Sequence, residues 1–244
     1  DVCSSDLEKF LGSKQLKLNL IVSNEFTLKY YKSKITSPIS VISQGHSGNF
    51  YNLSRSNKIA LERLKLAYTS PYIDISGDRN SGHAMWDVTT FVTKIIPELH
   101  SLPVSIELIG RVGKNAYNFI KANKLNVNIH GYVPIYKVQQ ILTNCDLGLY
   151  PRTVENRWLP QKIVEYIGAG LPIIAFKSSD VEIVASNKIG ILVETVEKFI
   201  DAIAELASSP EDLGIYRSNA IKMSKELSWK NLAKIHDQII ENLT

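Results

Sequence analysis

From Tyr72 onward, short apolar runs alternate with amphipathic stretches, and that alternation narrows the chain to very few architectures. The pattern predicts strands at Tyr72–Ser76, Val104–Ile109, Val127–His130, Leu147–Tyr150, Pro172–Ala175 and Ile191–Val193. Between them it predicts helices near Trp86–His100, Asn115–Ala122, Tyr136–Asn144, Gln161–Ile167, Val181–Ser186 and Val196–Ala207. Repeated β-then-α at this spacing means an α/β fold with a parallel sheet covered on both faces. Ligands on such sheets bind beyond the carboxyl ends of the strands. Those ends carry glycine or short polar residues: Ser76-Gly77-Asp78-Arg79, Gly110-Arg111-Val112-Gly113, Gly131-Tyr132-Val133 and Pro151-Arg152.

The first fifty residues repeat the theme in shorter steps. A helix is expected over Asp6–Leu11, a strand over Leu18–Val22, a helix over Asn24–Lys32 and a strand over Ile39–Ser43. Ser43 to Phe50 is loop chemistry, and Asn57–Tyr68 reads as a polar helix. Two helices close the chain, Glu211–Leu227 and Ser228–Asn242. Ser228 suits an N-cap, and Trp229, Leu232, Ile235 and Ile239 form an apolar stripe.

The totals remove several function classes. With 244 residues, 44% hydrophobic and 21% charged, the chain can build a sizeable core. It has no apolar run of membrane-spanning length and no secretory leader pattern. Two cysteines, Cys3 and Cys145, make neither a disulfide framework nor a metal cluster, so a reducing, cytoplasmic setting is expected. The net charge of +4 comes from scattered Lys and Arg, with no basic-aromatic stripe for nucleic acid. The opening Asp1-Val2-Cys3, without Met, reads as a piece of something longer.

The stretch from Asp146 to Ala175 says most about chemistry. A strand ends at Tyr150, a polar loop follows, and Pro160 sits at a first helical turn, where its missing N–H costs nothing. Gly168 and Gly170 give the exit to the next strand. At helical spacing Ile163, Val164 and Ile167 share one face, and Lys162, Glu165 and Tyr166 the other. A helix N-terminus holding a lysine is an anion site, and a carboxylate one turn on can accept sugar hydroxyls. The same spacing also describes a solvated i,i+3 pair worth a few tenths of a kcal/mol.

Pro160-Gln161-Lys162-Ile163-Val164-Glu165-Tyr166-Ile167-Gly168-Ala169-Gly170-Leu171-Pro172-Ile173-Ile174-Ala175 resembles the P-x-K-x-x-E-Y-x-x-x-G-x-P-h-h-A signature of GT-B glycosyltransferases, family-4-like (group 1). The resemblance covers about Tyr72 to Asn242 well and the first fifty residues weakly. It implies that residues 1–51 are a remnant of an N-terminal acceptor domain and crossover, with His46 of the crossover a candidate cleft residue. Residues 52–227 would be the C-terminal, Rossmann-like nucleotide-sugar domain, and 228–244 a terminal helix packing back on the N-terminal part. The implied reaction is metal-independent, retaining transfer of a sugar from a nucleoside diphosphate to a glycan or lipid-linked acceptor. Such work belongs to polysaccharide or glycoconjugate biosynthesis, at the inner face of a membrane where the acceptor is lipid-linked. No cofactor is implied, since the nucleotide-sugar is a substrate, and the chain lacks the D-x-D pair of metal-dependent transferases.

Roles follow residue by residue from the resemblance. Lys162, Arg79 and the backbone of Gly77 would hold the diphosphate, and Glu165 the ribose. Gly131, Tyr132 and Val133 would line the base, matching the f-x-G-x-v element. The chain departs from the pattern twice. In many relatives the first strand ends G-R-x-x-x-x-K, whereas here the arginine is displaced by one and the lysine is missing, with His83 a candidate substitute. Where many relatives carry a glutamate on the donor sugar, this chain has Arg157, which leaves Glu155, Asn156 and Arg157 as sugar candidates. Arg152 and Arg157 also stand as phosphate candidates. Two rivals remain at this stage: a GT-B nucleotide-sugar epimerase, and a flavodoxin-like nucleotide-binding module with no catalysis and a single sheet. The isolated chain is expected to bind nucleotide and turn over poorly.

Overall fold

The computed structural model describes residues 20–23, 25–36, 38–46, 63–75, 88–153 and 159–242. Among the described residues eight strands run in chain order: β1 (Leu20–Val22), β2 (Ile39–Val41), β3 (Leu64–Ile73), β4 (Val104–Val112), β5 (Val127–Gly131), β6 (Leu147–Tyr150), β7 (Ile173–Phe176) and β8 (Gly190–Val193). The helices are α1 (Glu25–Lys32), α2 (residues 88–99, with a π turn at Phe91–Ile95), α3 (Lys114–Ala122), α4 (Ile135–Thr143) and α5 (Gln161–Gly168). They continue with α6 (Ile183–Ser186), α7 (Val196–Ser208), α8 (Pro210–Glu226) and α9 (Trp229–Glu241).

Strands β3 to β8 form one sheet in the order β5-β4-β3-β6-β7-β8, with every pair parallel. The first strand is therefore central. The chain winds outward through β4 and β5, then returns to the other side of β3 and winds out through β6, β7 and β8. The reversal lies between β3 and β6, and a doubly wound sheet opens a crevice there, beyond the carboxyl ends of its strands.

Each face of the sheet buries its own cluster. On one face Leu66, Leu108 and Phe176 pack under α2 and α7, through Phe91, Ile95, Phe199 and Ile203. On the other Ala67, Ile109 and Ala175 pack under α4, α5, α6 and α8, through Leu142, Ile163, Val184 and Ala220. Burial on both faces is what a central parallel strand demands.

β3 corrects the sequence reading. A helix was expected to reach Tyr68, with a strand only from Tyr72, yet Leu64 to Tyr68 is already strand. Lys65 gives the run a polar look, but Leu64, Leu66 and Tyr68 enter one core cluster and Ala67 the other. A doubly buried strand shows no clean alternation, so a short apolar run with one lysine is ambiguous between helix and strand. Residues 57–62 of the expected helix lie outside the described residues. The strand ends at Ile73, and β4 runs on to Val112 because pairing resumes at Tyr72↔Arg111 and Ile73↔Val112 after an irregularity.

β1 and β2 form a separate two-stranded parallel sheet with α1 between them. A flavodoxin-like module with a single sheet does not account for it. His46, a cleft candidate from sequence, is instead tied to the C-terminal helices. It forms a parallel bridge with Ser228, donates its backbone N–H to Leu227 (3.0 Å) and accepts from the Trp229 N–H (3.0 Å). Its ring Nε2 lies 2.7 Å from the Ser224 carbonyl. Burial pulls its pKa below the ordinary histidine value, with the Ser224 contact opposing. Beside it Gly45 is pressed against Trp229 and Leu232 of α9. No helix among the described residues is long and apolar enough to cross a membrane.

Candidate functional site

α5 begins beside the carboxyl end of β6. Pro160 precedes it at φ −63° and supplies no side-chain cap, and Gly170 at φ +67° turns the chain toward β7. Ile163, Val164 and Ile167 are fully buried on the sheet, as their spacing predicts. Tyr166 is fully buried too, which corrects its expected place on the exposed face beside Lys162 and Glu165. The reason is Gly148 of β6. With no side chain there, the Tyr166 ring lies close against the strand, and a Cβ at Gly148 would come within 2.6 Å of it. The Tyr166 hydroxyl donates to the Leu149 carbonyl (3.2 Å) and accepts from the Thr69 N–H (3.1 Å).

Lys162 and Glu165 face a cavity of about 370 Å³ at the switch point. β3 contributes Thr69, Ser70 and Pro71, and β4 contributes Ile109 and Gly110. Tyr132 and Val133, just past β5, and Ile135 and Val138 of α4 close the far side, while Gln161 joins Lys162 at the start of α5. The cavity therefore has a polar end at the helix N-terminus and an apolar end between β4 and α4. The Lys162 ammonium lies 4.9 Å from the centroid of the Tyr68 ring and 5.6 Å from that of Tyr150, so two buried aromatic faces support it from the sheet. Burial raises the Glu165 pKa above the usual carboxylate value, and the Lys162 charge opposes the shift.

The neighbouring helix start is already answered. Asp74, just past β3, accepts from the backbone N–H groups of Ala116 (2.8 Å) and Ile75 (2.9 Å) and from the Tyr72 hydroxyl (3.0 Å). Burial would raise its pKa, but these donors hold it below the ordinary value. The carboxylate of Asp74 thus satisfies the positive end of α3, whereas the first residues of α5, Gln161 and Lys162, line the cavity.

Below the apolar end, Glu107 of β4 pins β5. Its carboxylate lies 2.6 Å from His130 Nε2 and accepts from Asn128 Nδ2 at 2.8 Å. Gly131 then turns at φ +70°, and Tyr132 stands at the mouth with 79% of its surface exposed.

Of the residues read from sequence, Lys162, Glu165, Tyr132 and Val133 meet in this one cavity. Gly131 supplies the turn that brings Tyr132 there, and Arg152 follows β6 without lining the cavity. Gly77, Arg79, His83, Glu155, Asn156 and Arg157 lie outside the described residues. Thr69, Ser70 and Pro71 were missed because the first strand was placed too late. Ile135 and Val138 were missed because their role depends on how α4 leans over β4. Among the described residues no three His, Cys, Asp or Glu side chains are grouped to hold a metal ion.

The sequence pattern of the family described as "Glycosyl transferases group 1" matches residues 82–209, which is 128 of 244 residues, a little over half of the chain. No curated protein matches by sequence. Among solved structures, sucrose-phosphate synthase from Thermosynechococcus elongatus superposes with a TM-score of 0.68 at 14% identity, covering 97% of this chain and 60% of that one. Anabaena HepE, in complex with UDP and glucose, gives 0.64 at 17% identity, covering 98% of this chain and 66% of that one. A TarM variant from S. aureus, in complex with fondaparinux, alpha-GlcNAc-glycerol and UDP, gives 0.66 at 17% identity, covering 95% and 45%. At these identities the likeness establishes the fold, and the chain spans 60% of the length of the synthase.

Proposed function

Because this chain belongs to the glycosyl transferases of group 1, we propose that its cavity holds a nucleoside-diphosphate sugar and that the protein transfers the sugar to an acceptor hydroxyl. The observation that carries this reading is the joint placement of Lys162 and Glu165 on one cavity at the switch point, opposite an apolar slot. The diphosphate lies at the start of α5, against Lys162 and the helix N–H groups. Glu165, one turn on, accepts from the ribose hydroxyls. The base enters the slot between Ile109, Val133 and Val138, beside the Tyr132 ring. Glu155, Asn156 and Arg157 are the residues proposed for the sugar, and Arg79 and Gly77 those proposed for a second grip on the diphosphate.

In the transfer, the bond from the anomeric carbon to the diphosphate oxygen breaks, one to the acceptor oxygen forms, and the proton of the acceptor hydroxyl passes to the departing diphosphate oxygen. Negative charge grows on the departing diphosphate. A fixed ammonium and oriented N–H groups stabilise such charge with little reorganisation, so the step needs no metal in this reading. Retention of configuration follows from the resemblance of the Pro160–Ala175 tract. UDP and glucose are the contents of the HepE complex, which makes UDP the first nucleotide to try.

The test is calorimetric titration of UDP, GDP, ADP and their sugars into the wild-type chain and Lys162→Ala. At least one nucleoside diphosphate should bind. Lys162→Ala should weaken it roughly tenfold or more, the scale of one lost charge-assisted contact, while the parent nucleoside changes little. Equal losses for nucleoside and diphosphate would return Lys162 to surface duty. An affinity that ignores the sugar would favour a non-catalytic nucleotide module. Product analysis with labelled donor separates transfer from epimerisation.

A further inference from the structure

β3 and β6 flank the switch point, yet their paired registers are only Leu66↔Leu147 and Ala67↔Gly148. Two residues further along β3, the backbone N–H of Thr69 meets the hydroxyl of Tyr166 from α5 (3.1 Å). The same hydroxyl donates to the carbonyl of Leu149 on β6 (3.2 Å) and lies 3.4 Å from Thr69 Oγ1. A phenol offers one proton and two lone pairs, so these contacts use it fully. The bridge sits where the parallel ladder has given out, and the bare backbone of Gly148 is the seat for its ring.

Lys162 stands one turn earlier on the same helix, over the ring of Tyr68 on β3 and that of Tyr150 on β6. These are the chain neighbours of Thr69 and Leu149. One helix therefore holds both walls of the crevice, through a hydroxyl at one level and an ammonium at the next. Resting on the donor-site reading above, we propose that Tyr166 is a positioning residue. Its hydroxyl sets the spacing of β3 from β6, and with it the distance between the Thr69–Pro71 wall and Lys162 across the bound diphosphate. Tyr166 does not line the cavity. Full burial pushes its hydroxyl far above the ordinary tyrosine value, so it stays protonated and supplies no acid–base step.

The test uses Tyr166→Phe in the full chain, which keeps the ring on Gly148 and removes only the hydroxyl. Residue-resolved hydrogen exchange and UDP titration are read well below the melting temperature of either protein. In the wild type, the Thr69 amide should exchange as slowly as amides inside the ladder. In Tyr166→Phe it should exchange at least tenfold faster while Leu66 and Ala67 stay protected, and UDP should bind about tenfold more weakly, the scale of one to two buried hydrogen bonds. A variant that melts earlier but keeps wild-type UDP affinity would make Tyr166 structural only, and the proposal would fall. Rapid exchange at Thr69 in the wild type would overturn it even if the variant does not fold. Should the wild type bind no nucleoside diphosphate, the donor-site reading fails first, a result distinct from equal affinities in both proteins.

Discussion

Arg217 of α8 reaches Asp146 at the amino end of β6, its Nη2 3.2 Å from Oδ1 and 3.2 Å from the Asp146 backbone carbonyl. The other carboxylate oxygen accepts the backbone N–H of Lys65 on β3 (2.9 Å), and the Asp146 N–H donates back to the Lys65 carbonyl (2.7 Å). Asp146 thus closes the β3–β6 junction at the end remote from the cavity, as Tyr166 does at the near end. Both Arg217 and Asp146 are buried. Removing one partner of such a pair strands a charge, so Arg217→Met should cost about 3–5 kcal/mol in denaturant melts. The double variant Arg217→Met/Asp146→Asn should recover a large part of that loss, because no bare charge remains and an amide oxygen can still accept from Lys65. A double variant no better than the single would mean that the geometry of the Arg217 contact, not its charge, holds the junction.

The central motif was legible because its parts act locally. A proline, a lysine, a glutamate and two glycines at fixed spacing specify a helix with a charged start whatever surrounds them, and α5 has that form. Tyr166 was misplaced for the opposite reason. Angular arithmetic put it on the open face, and only the absence of a side chain at Gly148, on a different element, makes room for it below. The capping of α3 by Asp74 was likewise invisible, since donor and acceptor are 42 residues apart. Burial on both faces hid β3 by removing the alternation that marks a strand.

Glu165 carries a cost of burial that its proposed role on the ribose accounts for. Its pKa is raised by burial, with Lys162 opposing, relative to the ordinary 4.5. The folded state therefore holds the proton to higher pH than the unfolded chain. That contribution to stability is full below pH 4.5 and is lost as pH rises through the folded value. Glu165→Gln should melt higher than wild type at pH 7–8, with the difference shrinking toward pH 4, while nucleotide affinity falls. Thermal melts across that range decide it. A glutamine variant less stable than wild type at pH 7 would show that pairing with Lys162 outweighs burial.

His46 responds in the opposite sense. Burial holds its pKa below the ordinary 6.5, so the neutral ring is the one that fits against Ser224. Its contribution is present above pH 6.5 and is lost as pH falls through the folded value. Acidification from pH 7 toward 5 should loosen the join between the segment ending at His46 and α9, visible as faster exchange at the Trp229 amide, which donates to the His46 carbonyl. His46→Gln, which can still donate to Ser224, should flatten that pH dependence. An unchanged slope in the variant would assign the acid response to other groups.

Two glycines, Gly110 in the cavity wall and Gly131 in the turn before Tyr132, invite the same substitution and should answer it differently. Gly110 has φ +137°, and a Cβ there would fall on the Ser70 carbonyl oxygen, backbone that cannot step aside without parting β3 from β4. Left-handed strain and the clash together should make Gly110→Ala cost about 3 kcal/mol or more. Nucleotide binding should go as well, because Ser70 and Gly110 both line the cavity. Gly131 sits at φ +70° and, apart from its chain neighbours, no atom of the described residues lies within 4 Å of where a Cβ would stand. Gly131→Ala should therefore cost only the backbone term, roughly 1–2 kcal/mol. Its effect on affinity should reach the base more than the diphosphate, since the turn carries Tyr132 and Val133. Melting and UDP titration of the pair separate space from conformation. Equal destabilisation would mean that the close approach at Ser70 relaxes freely, and that the crevice walls are softer than the Tyr166 bridge requires.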